Sequence, residues 1–448
     1  MRHLLPIQLV ALAFALLPLT AEEKPNILVL YSDDAGYADF GFQAVAAEDM
    51  KKLTPNIDRI AKEGATFTNA YMSGCVCSPS RAGLMTGRYQ GRFGYDNNLP
   101  PGTKDGLSLE EDFGAKQLQK LGYKTGLIGK WHLGYPAEFH PNKRGFDWFY
   151  GLLQGSRPYF AVKSASPHRV IQENGKATEE TGYVTDRFGD AACRFIKESK
   201  DKPFFLFVSF TAPHGPLQAK PEHLEKLKDI PEGKRQKFAG LVLSLDENVG
   251  KILDCLKEQG LDENTLVIFT NDNGGQTQLG ANNGPLSGKK GTLLEGGVRV
   301  PWAMRYPKVI KPDTTIDDPI IALDLVPTFL ELAGGEPAPA LDGISLVSRI
   351  KEGGESLKER PLFWRQHGED GERAMRLGKW KLHHDREKKA APKLYDLSKD
   401  IGEQNDLAEK EPEQLAKMLQ QLDAWETQLQ TPRWGPGSPS KKGKKDKK

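Results

Sequence analysis

Four short apolar runs recur at wide intervals along the chain: Asn26-Ile27-Leu28-Val29-Leu30-Tyr31, Thr125-Gly126-Leu127-Ile128-Gly129, Phe204-Phe205-Leu206-Phe207-Val208-Ser209 and Thr265-Leu266-Val267-Ile268-Phe269-Thr270. Each is too short for a helix and apolar at odd and even positions alike, which is how a strand covered on both faces of a parallel sheet reads. Helical patterns over 56–63, 110–121, 184–199 and 238–259 lie between them, so the chain alternates strand and helix and belongs to the α/β class. Open α/β sheets bind ligands beyond the carboxyl ends of their strands. Asp33 and Asp34 follow the first run, Lys130 and His132 the second, His214 the third, and Asp272 and Asn273 the fourth. These residues are therefore expected to meet at one sheet edge despite their distance in sequence.

Their chemistry falls into two sets. Asp33, Asp34, Asp272 and Asn273 offer only oxygen ligands, which suits a hard divalent cation and fits zinc poorly. The number of carboxylates and an exported location favour calcium, with magnesium left open by the residues themselves. Either Asp pair alone is also an ordinary turn sequence; two pairs at strand ends favour the metal. Arg81, Lys130, His132, His214 and Lys290 form the complementary set, able to hold an oxyanion ester and to offset charge developing on its oxygens.

A thiol lies close to a predicted helix start in Gly74-Cys75-Val76-Cys77-Ser78-Pro79-Ser80-Arg81. Ser78 suits an N-cap, Pro79 the first helical position and Gly87 a stop. Cys77 would then sit where free N–H groups and the helix dipole favour negative charge.

Length and charge bound the rest. The 448 residues allow two domains, and 62 basic against 60 acidic residues leave a formal charge of +2, which gives no global electrostatic argument for nucleic acid or an anionic membrane. Residues 1–21 read as a secretory signal, with Arg2 and His3 before an apolar run and Leu19-Thr20-Ala21 at the cleavage point, so the protein is expected to be secreted or periplasmic; no later segment is long enough to span a membrane. Four cysteines are too few for a disulfide framework, and which of Cys75, Cys193 and Cys255 would pair is open.

The expected division is a catalytic domain over 22–335, a small C-terminal domain over 336–432 and a basic disordered tail over 433–448. Short half-exposed strands are expected at Leu362-Phe363-Trp364, Lys379-Trp380-Lys381-Leu382 and Lys393-Leu394-Tyr395-Asp396, in an antiparallel sheet. A helix over about 411–429, with Leu415, Met418, Leu419, Leu422 and Trp425 at helical spacing, would cover it.

The segment Cys77-Ser78-Pro79-Ser80-Arg81 followed by Thr86-Gly87-Arg88 resembles the signature of type I sulfatases, in the alkaline phosphatase superfamily. Thr54-Pro55-Asn56-Ile57-Asp58, Gly129-Lys130-Trp131-His132-Leu133-Gly134, Ala212-Pro213-His214, Asn271-Asp272-Asn273-Gly274 and Leu394-Tyr395-Asp396-Leu397 strengthen the resemblance over nearly the whole mature chain. It implies an alkaline-phosphatase-like fold: a large, mostly parallel sheet flanked by helices, and a smaller C-terminal domain with an antiparallel sheet and a helix. It also implies that a maturation enzyme oxidises Cys77 to Cα-formylglycine, and that one calcium ion is held by Asp33, Asp34, Asp272 and Asn273 and ligates residue 77. Arg81 would steady the aldehyde hydrate. One hydroxyl of the hydrate, assisted by Asp272, would attack sulfur while His214 and Lys290 protonate or stabilise the leaving oxygen. Lys130 and His132 would complete the sulfate pocket, and His132 would take the proton from the second hydroxyl as sulfate departs. The implied reaction is hydrolysis of a sulfate monoester on a sulfated small molecule, foremost a carbohydrate. The alternatives are a phosphonate or phosphodiester hydrolase, and an inactive protein that binds sulfated glycans. Linkage position and oligomeric state stay open.

Overall fold

The structure, a computed structural model, describes residues 24–439. The signal sequence expected over 1–21 and the end of the expected basic tail, 440–448, lie outside the described residues. Strands β1 (Asn26–Ser32), β2 (Ala65–Phe67), β4 (Lys124–Lys130), β5 (Trp148–Leu152), β6 (Gln172–Glu173), β7 (Lys176–Ala177), β8 (Phe204–Ser209), β9 (Thr265–Asn271), β10 (Trp302–Arg305) and β11 (Thr314–Ile316) form one sheet. Its order is β11-β2-β10-β9-β1-β8-β4-β5-β6-β7. β3 (Ala70–Tyr71) pairs with β12 (Ile320–Ile321) beside it. The five central strands β9, β1, β8, β4 and β5 are mutually parallel, whereas β10, β6 and β7 join antiparallel, so the sheet is mostly parallel as expected.

The apolar runs behave as strands because both sheet faces are covered. In β1, Ile27, Val29 and Tyr31 enter one core while Leu28 and Leu30 enter the other. Helices α1 (Pro55–Lys62), α2 (Cys77–Thr86), α3 (Gly114–Lys120), α4 (Val184–Ser199), α5 (Pro221–Lys226), α6 (Lys234–Glu258), α7 (Glu295–Val298), α8 (Leu325–Leu332) and α9 (Val347–Ile350) connect or flank the strands. The helix expected over 110–121 is shorter. Arg144 donates to Glu111 O at 2.9 Å, and Arg88 grips the Glu111 carboxylate with two bonds of 2.7 Å, so that residue is drawn out of the helix.

Downstream, β13 (Leu362–Arg365), β14 (Glu372–Leu377), β15 (Trp380–Asp385) and β16 (Lys393–Asp396) form an antiparallel sheet. Helix α10 (Pro412–Glu426) buries Met418, Leu422 and Trp425, with Leu415 and Leu419 partly buried against the same core. That third core contains Tyr71, Leu293 and Ile321 as well as Trp364, Met375 and Leu382, so the small sheet docks on the β3–β12 pair and the segment around Leu293 through shared apolar packing. Because β1, β4, β8 and β9 run parallel, their carboxyl ends lie at one edge, where Asp33 N–H donates to Ala212 O (3.1 Å) and Asp272 N–H to Ser32 O (3.2 Å). Among the described residues, no helix is long and apolar enough to cross a membrane.

Candidate active site

Helix α2 begins at Cys77, with Val76 as an extended N-cap and no side-chain cap. Ser78 and Pro79 are thus its second and third residues, which corrects the expectation of Ser78 as cap and Pro79 as first residue. The Ser78 hydroxyl is used elsewhere: it donates to Tyr95 Oη (3.0 Å) and accepts from Leu99 N–H (3.1 Å), while Ser78 N–H donates to Asn98 Oδ1 (3.0 Å). The shift places the Cys77 side chain on the first helical residue, at the positive end of the dipole. Gly87 ends the helix as expected, in the left-handed region at φ +67°.

The loop over 95–99 that meets this helix start is itself clasped by residues expected to open the disordered tail at 433: Trp434 and Ser438 are buried, because the indole packs into this loop. Trp434 Nε1 donates to Asn97 O and Asn98 O at 3.0 Å each, Asn97 Nδ2 donates to Trp434 O at 2.8 Å, and Trp434 meets Tyr95 edge to face at 4.6 Å.

Three carboxylates and three cations interlock around Cys77. Lys130 Nζ lies 2.7 Å from Asp33 Oδ2, Lys290 Nζ lies 2.6 Å from Asp34 Oδ2, and an Arg81 guanidinium nitrogen lies 3.0 Å from Asp272 Oδ2. Asp272 Oδ1 accepts Asp34 N–H at 3.1 Å. Arg81 also donates to Lys130 O (3.1 Å) and Ser209 Oγ and stacks over Tyr31 at 5.1 Å. Cys77 Sγ lies 3.6 Å from Asp33 Oδ1 and 4.0 Å from Asp34 Oδ1. His214 Nδ1 donates to Gly215 O at 2.7 Å, because a carbonyl can only accept, and this turns Nε2 toward Asp34 Oδ2 at 3.4 Å. Only His214 and Lys290 reach outward, with side chains 21% and 15% exposed.

Burial and neighbouring charge set the protonation states. Burial, reinforced by Asp272, raises Asp33 to about 6. Burial acts the same way on Asp272, yet Arg81, Lys130 and Lys290 outweigh it and hold its carboxyl well below the usual range. In Asp34 the same opposition is won by Lys290 and His214, and the carboxyl is lowered. Burial, with Asp272 beside it, pushes the Cys77 thiol up to about 12. His132 is driven far below the usual imidazole range by burial and then by Lys130, so its ring is neutral.

The backbone is strained where the chemistry concentrates. Asp34 and His132 adopt left-handed φ values of +69° and +61°, uncommon for residues with a side chain. Gly129 at φ +96° lets β4 pass β8 so closely that a Cβ there would lie 1.9 Å from Ser209 O. His132 Nδ1, Arg81 Nε and Asn273 Oδ1 are buried without a hydrogen-bond partner.

The fit to a divalent cation can be judged on these atoms. Ligand atoms of Asp33, Asp34, Cys77 and His214 all lie within 4.8 Å of one another. The orphaned Asn273 Oδ1 belongs to the amide whose nitrogen donates to Asp34 Oδ1 (2.9 Å). Oxygen donors in a buried site with one acceptor unmet suit a hard cation. Two features differ from the expected ligand set: His214, expected only among the cationic residues, stands beside the acidic pair, and both Asp272 oxygens are engaged by Arg81 and Asp34 N–H.

Sequence reasoning missed Ser209 and Asn271. Ser209 Oγ donates to Lys130 O (2.8 Å), and Asn271 Oδ1 accepts from Ser32 Oγ (2.8 Å) and Ala35 N–H (3.1 Å). Each is the last residue of its strand, and that polar ending of an apolar run was the available signal.

A family model described as Sulfatase matches residues 25–335, and one described as N-sulphoglucosamine sulphohydrolase, C-terminal, matches 289–430. N-acetylgalactosamine-6-sulfatase of Homo sapiens is 34% identical over 389 residues, covering 81% of this chain and 72% of that protein. Arylsulfatase A of Homo sapiens is 32% identical over 471 residues, covering 91% of this chain and 89% of that protein. The crystal structure of Ps i-CgsB in complex with k-i-k-neocarrahexaose matches with a TM-score of 0.88 and 35% identity, over 94% of this chain and 96% of that one.

Proposed function

This chain belongs to the sulfatase family of the alkaline phosphatase superfamily and is a sulfuric ester hydrolase, and on that footing we propose that it is an exported, calcium-dependent enzyme that releases sulfate from a sulfated carbohydrate through a Cα-formylglycine made from Cys77. The observation that carries the reading is the convergence of Cys77, at the first residue of α2, with Asp33, Asp34 and His214 in one buried cluster ringed by Arg81, Lys130 and Lys290. The carbohydrate preference draws on Ps i-CgsB, solved with a neocarrahexaose bound, and on the N-acetylgalactosamine-6-sulfatases.

Asp33, Asp34, Asp272 and Asn273 would hold the cation. When present, the hydrated formylglycine supplies one hydroxyl for attack on sulfur and a second on the same carbon from which sulfate is expelled, and the cation supplies Lewis acidity. The chain's own residues do the rest. Arg81, fixed by Asp272, Lys130 O and Ser209, orients residue 77 and the carboxylate expected to assist the attack. Lys130 and Lys290 offset charge on the sulfate oxygens. His214, its Nδ1 tied to Gly215 O, presents Nε2 to the leaving oxygen, and Lys290 stands beside it as a second donor. His132, neutral and with a bare Nδ1, is the acceptor for the proton released as sulfate departs. The site's three carboxylates and three fixed cations balance, so a divalent cation prepares it for an anionic ester.

Two measurements test this reading. Purified, matured protein is offered matched sulfate and phosphate esters of the same alcohols, including sulfated mono- and oligosaccharides. Sulfate release is expected, while preference for phosphorus would transfer the protein to phosphonate or phosphodiester hydrolysis. Mass spectrometry of the peptide spanning Cys77 is expected to show aldehyde or its hydrate; an unmodified thiol in the native host would leave only sulfated-glycan binding.

A further inference from the structure

Lys290 reaches the site on an irregular segment, 287–294, which is anchored from two sides: the loop after β9 accepts Lys290 N–H on Gly275 O (3.2 Å) and donates from Asn283 to Gly288 O (3.2 Å), and the small sheet holds the residues that follow. Glu372, at the start of β14, accepts Leu293 N–H on Oε1 at 2.9 Å, and its Oε2 accepts the Gln366 amide. The same Gln366 nitrogen donates to Gly291 O (3.1 Å), while Gln366 Oε1 accepts the Cys75 thiol (2.9 Å). Gly291 N–H closes the ring by donating to Cys75 O at 2.9 Å. Two buried side chains of the small sheet therefore pin the backbone just after Lys290 and, through Cys75, the residue two positions before Cys77. His383 Nε2, 2.5 Å from Glu372 Oε1, holds the carboxylate from the other side.

We propose that Glu372, acting through Gln366, is a positioning residue for the Lys290 ammonium. A lysine has many rotamers to lose, so the contact of its ammonium with Asp34 fixes a point for the reaction only when the backbone that carries it is held as well. A buried carboxylate is a costly way to fill space, and both oxygens of this one are spent on the Lys290 segment or on the amide that grips it. Cys75 gains a task from the same ring: its thiol and carbonyl join the two chain segments that bring residue 77 and Lys290 together.

The inference rests on the sulfatase reading and extends it to a residue outside the reacting atoms. Its test is a double-mutant cycle on matured enzyme, with kcat measured on a nitrophenyl sulfate and on galactose sulfate. Glu372→Ala is expected to lower kcat on galactose sulfate by ~10-fold or more with a smaller loss on the nitrophenyl ester, because a good leaving group needs less help from Lys290. In a Lys290→Ala background the same substitution is expected to cost less than about 2-fold. Glu372→Gln keeps the shape but sets an NH2 against a donor; it is expected to show the same pattern more weakly, and it decides the matter should Glu372→Ala not fold. A folded variant with wild-type kcat on both esters, or equal losses with and without Lys290, would overturn the assignment. The cycle is run on whichever esters of the wider panel the wild type turns over, and a wild-type enzyme inert on all of them would bring down the sulfatase reading, and this inference with it.

Discussion

Two buried clusters of opposite charges lie one loop apart in this protein, and only one of them is the proposed site. The first gathers Asp33, Asp34 and Asp272 with Arg81, Lys130 and Lys290 at the strand ends. The second lies between the sheets: Lys381 Nζ is 2.8 Å from Glu295 Oε1 and 3.7 Å from Glu403 Oε1, and Glu295 Oε2 takes Tyr71 Oη (2.6 Å) and Arg299 (3.3 Å). Lys381, Glu295 and Glu403 are fully buried, whereas the first cluster opens outward through His214 and Lys290. The second leaves only Glu403 Oε1 short of a hydrogen bond among these charged groups; the first leaves Asn273 Oδ1 and Arg81 Nε bare, with His132 Nδ1 beside them, and holds Asp34 and His132 in strained backbone. Buried charge is therefore no mark of chemistry by itself. Unmet donors and acceptors on strained backbone, at an edge that opens to substrate, are the better sign.

The contrast makes separable predictions: changes in the first cluster should alter turnover, and changes in the second should alter stability, in either direction. The largest effect is expected from Cys77→Ala, with sulfate release lowered by at least ~10⁴-fold and the melting temperature moved by less than about 2 °C. Preserved turnover would remove Cys77 from the reaction. Chelation with EGTA is expected to lower kcat by ~10³-fold and calcium to restore it, and Asp272→Ala should be impaired in both metal binding and turnover; activity indifferent to chelation ends the calcium assignment. Lys381→Ala leaves Glu295 Oε1 and Glu403 buried without their shared cation and should cost about 3–5 kcal/mol in denaturant unfolding, and a loss under about 1 kcal/mol would break the contrast from its other side.

His214→Ala is expected to lower kcat by ~10²-fold, more for sugar sulfates than for nitrophenyl sulfate; a loss independent of leaving group would deny it the acid role. The smallest effect concerns Glu403, which burial raises to about 7 from an ordinary 4.5. An acid raised in the fold contributes its full stability below the unfolded value and loses it as pH climbs to the folded one. Glu403→Gln should therefore match wild type below pH 4.5 and exceed it by about 1–3 kcal/mol above pH 7 in pH-resolved unfolding.

Much of the site was legible because it hangs on the most readable elements. A strand apolar on both faces announces itself, and Asp33, Lys130 and Asp272 sit at or just beyond such strands' ends. β14 was invisible for the opposite reason. Its sequence, Glu-Arg-Ala-Met-Arg-Leu, hides a strand in which Glu372, Arg373 and Arg376 are buried against partners that only the folded chain supplies. The start of α2 was misplaced because a capping rule assumes that the serine hydroxyl is free, and Tyr95 and Leu99 had claimed it. His214 was legible as a residue of this edge from its place after the third strand; what no spacing encodes is the bond from Nδ1 to Gly215 O that turns Nε2 toward Asp34.

The Trp434 clasp on Asn97 and Asn98 orders events in time. Cys77 is 2% exposed once the chain has closed, so any enzyme that oxidises it must meet the segment earlier. Ser78 is held by Tyr95, Asn98 and Leu99, and that loop is gripped by a tryptophan more than three hundred residues downstream. Its last fastening thus cannot form until residue 434 has been made, which leaves the cysteine a period of access as long as the synthesis of the residues between them.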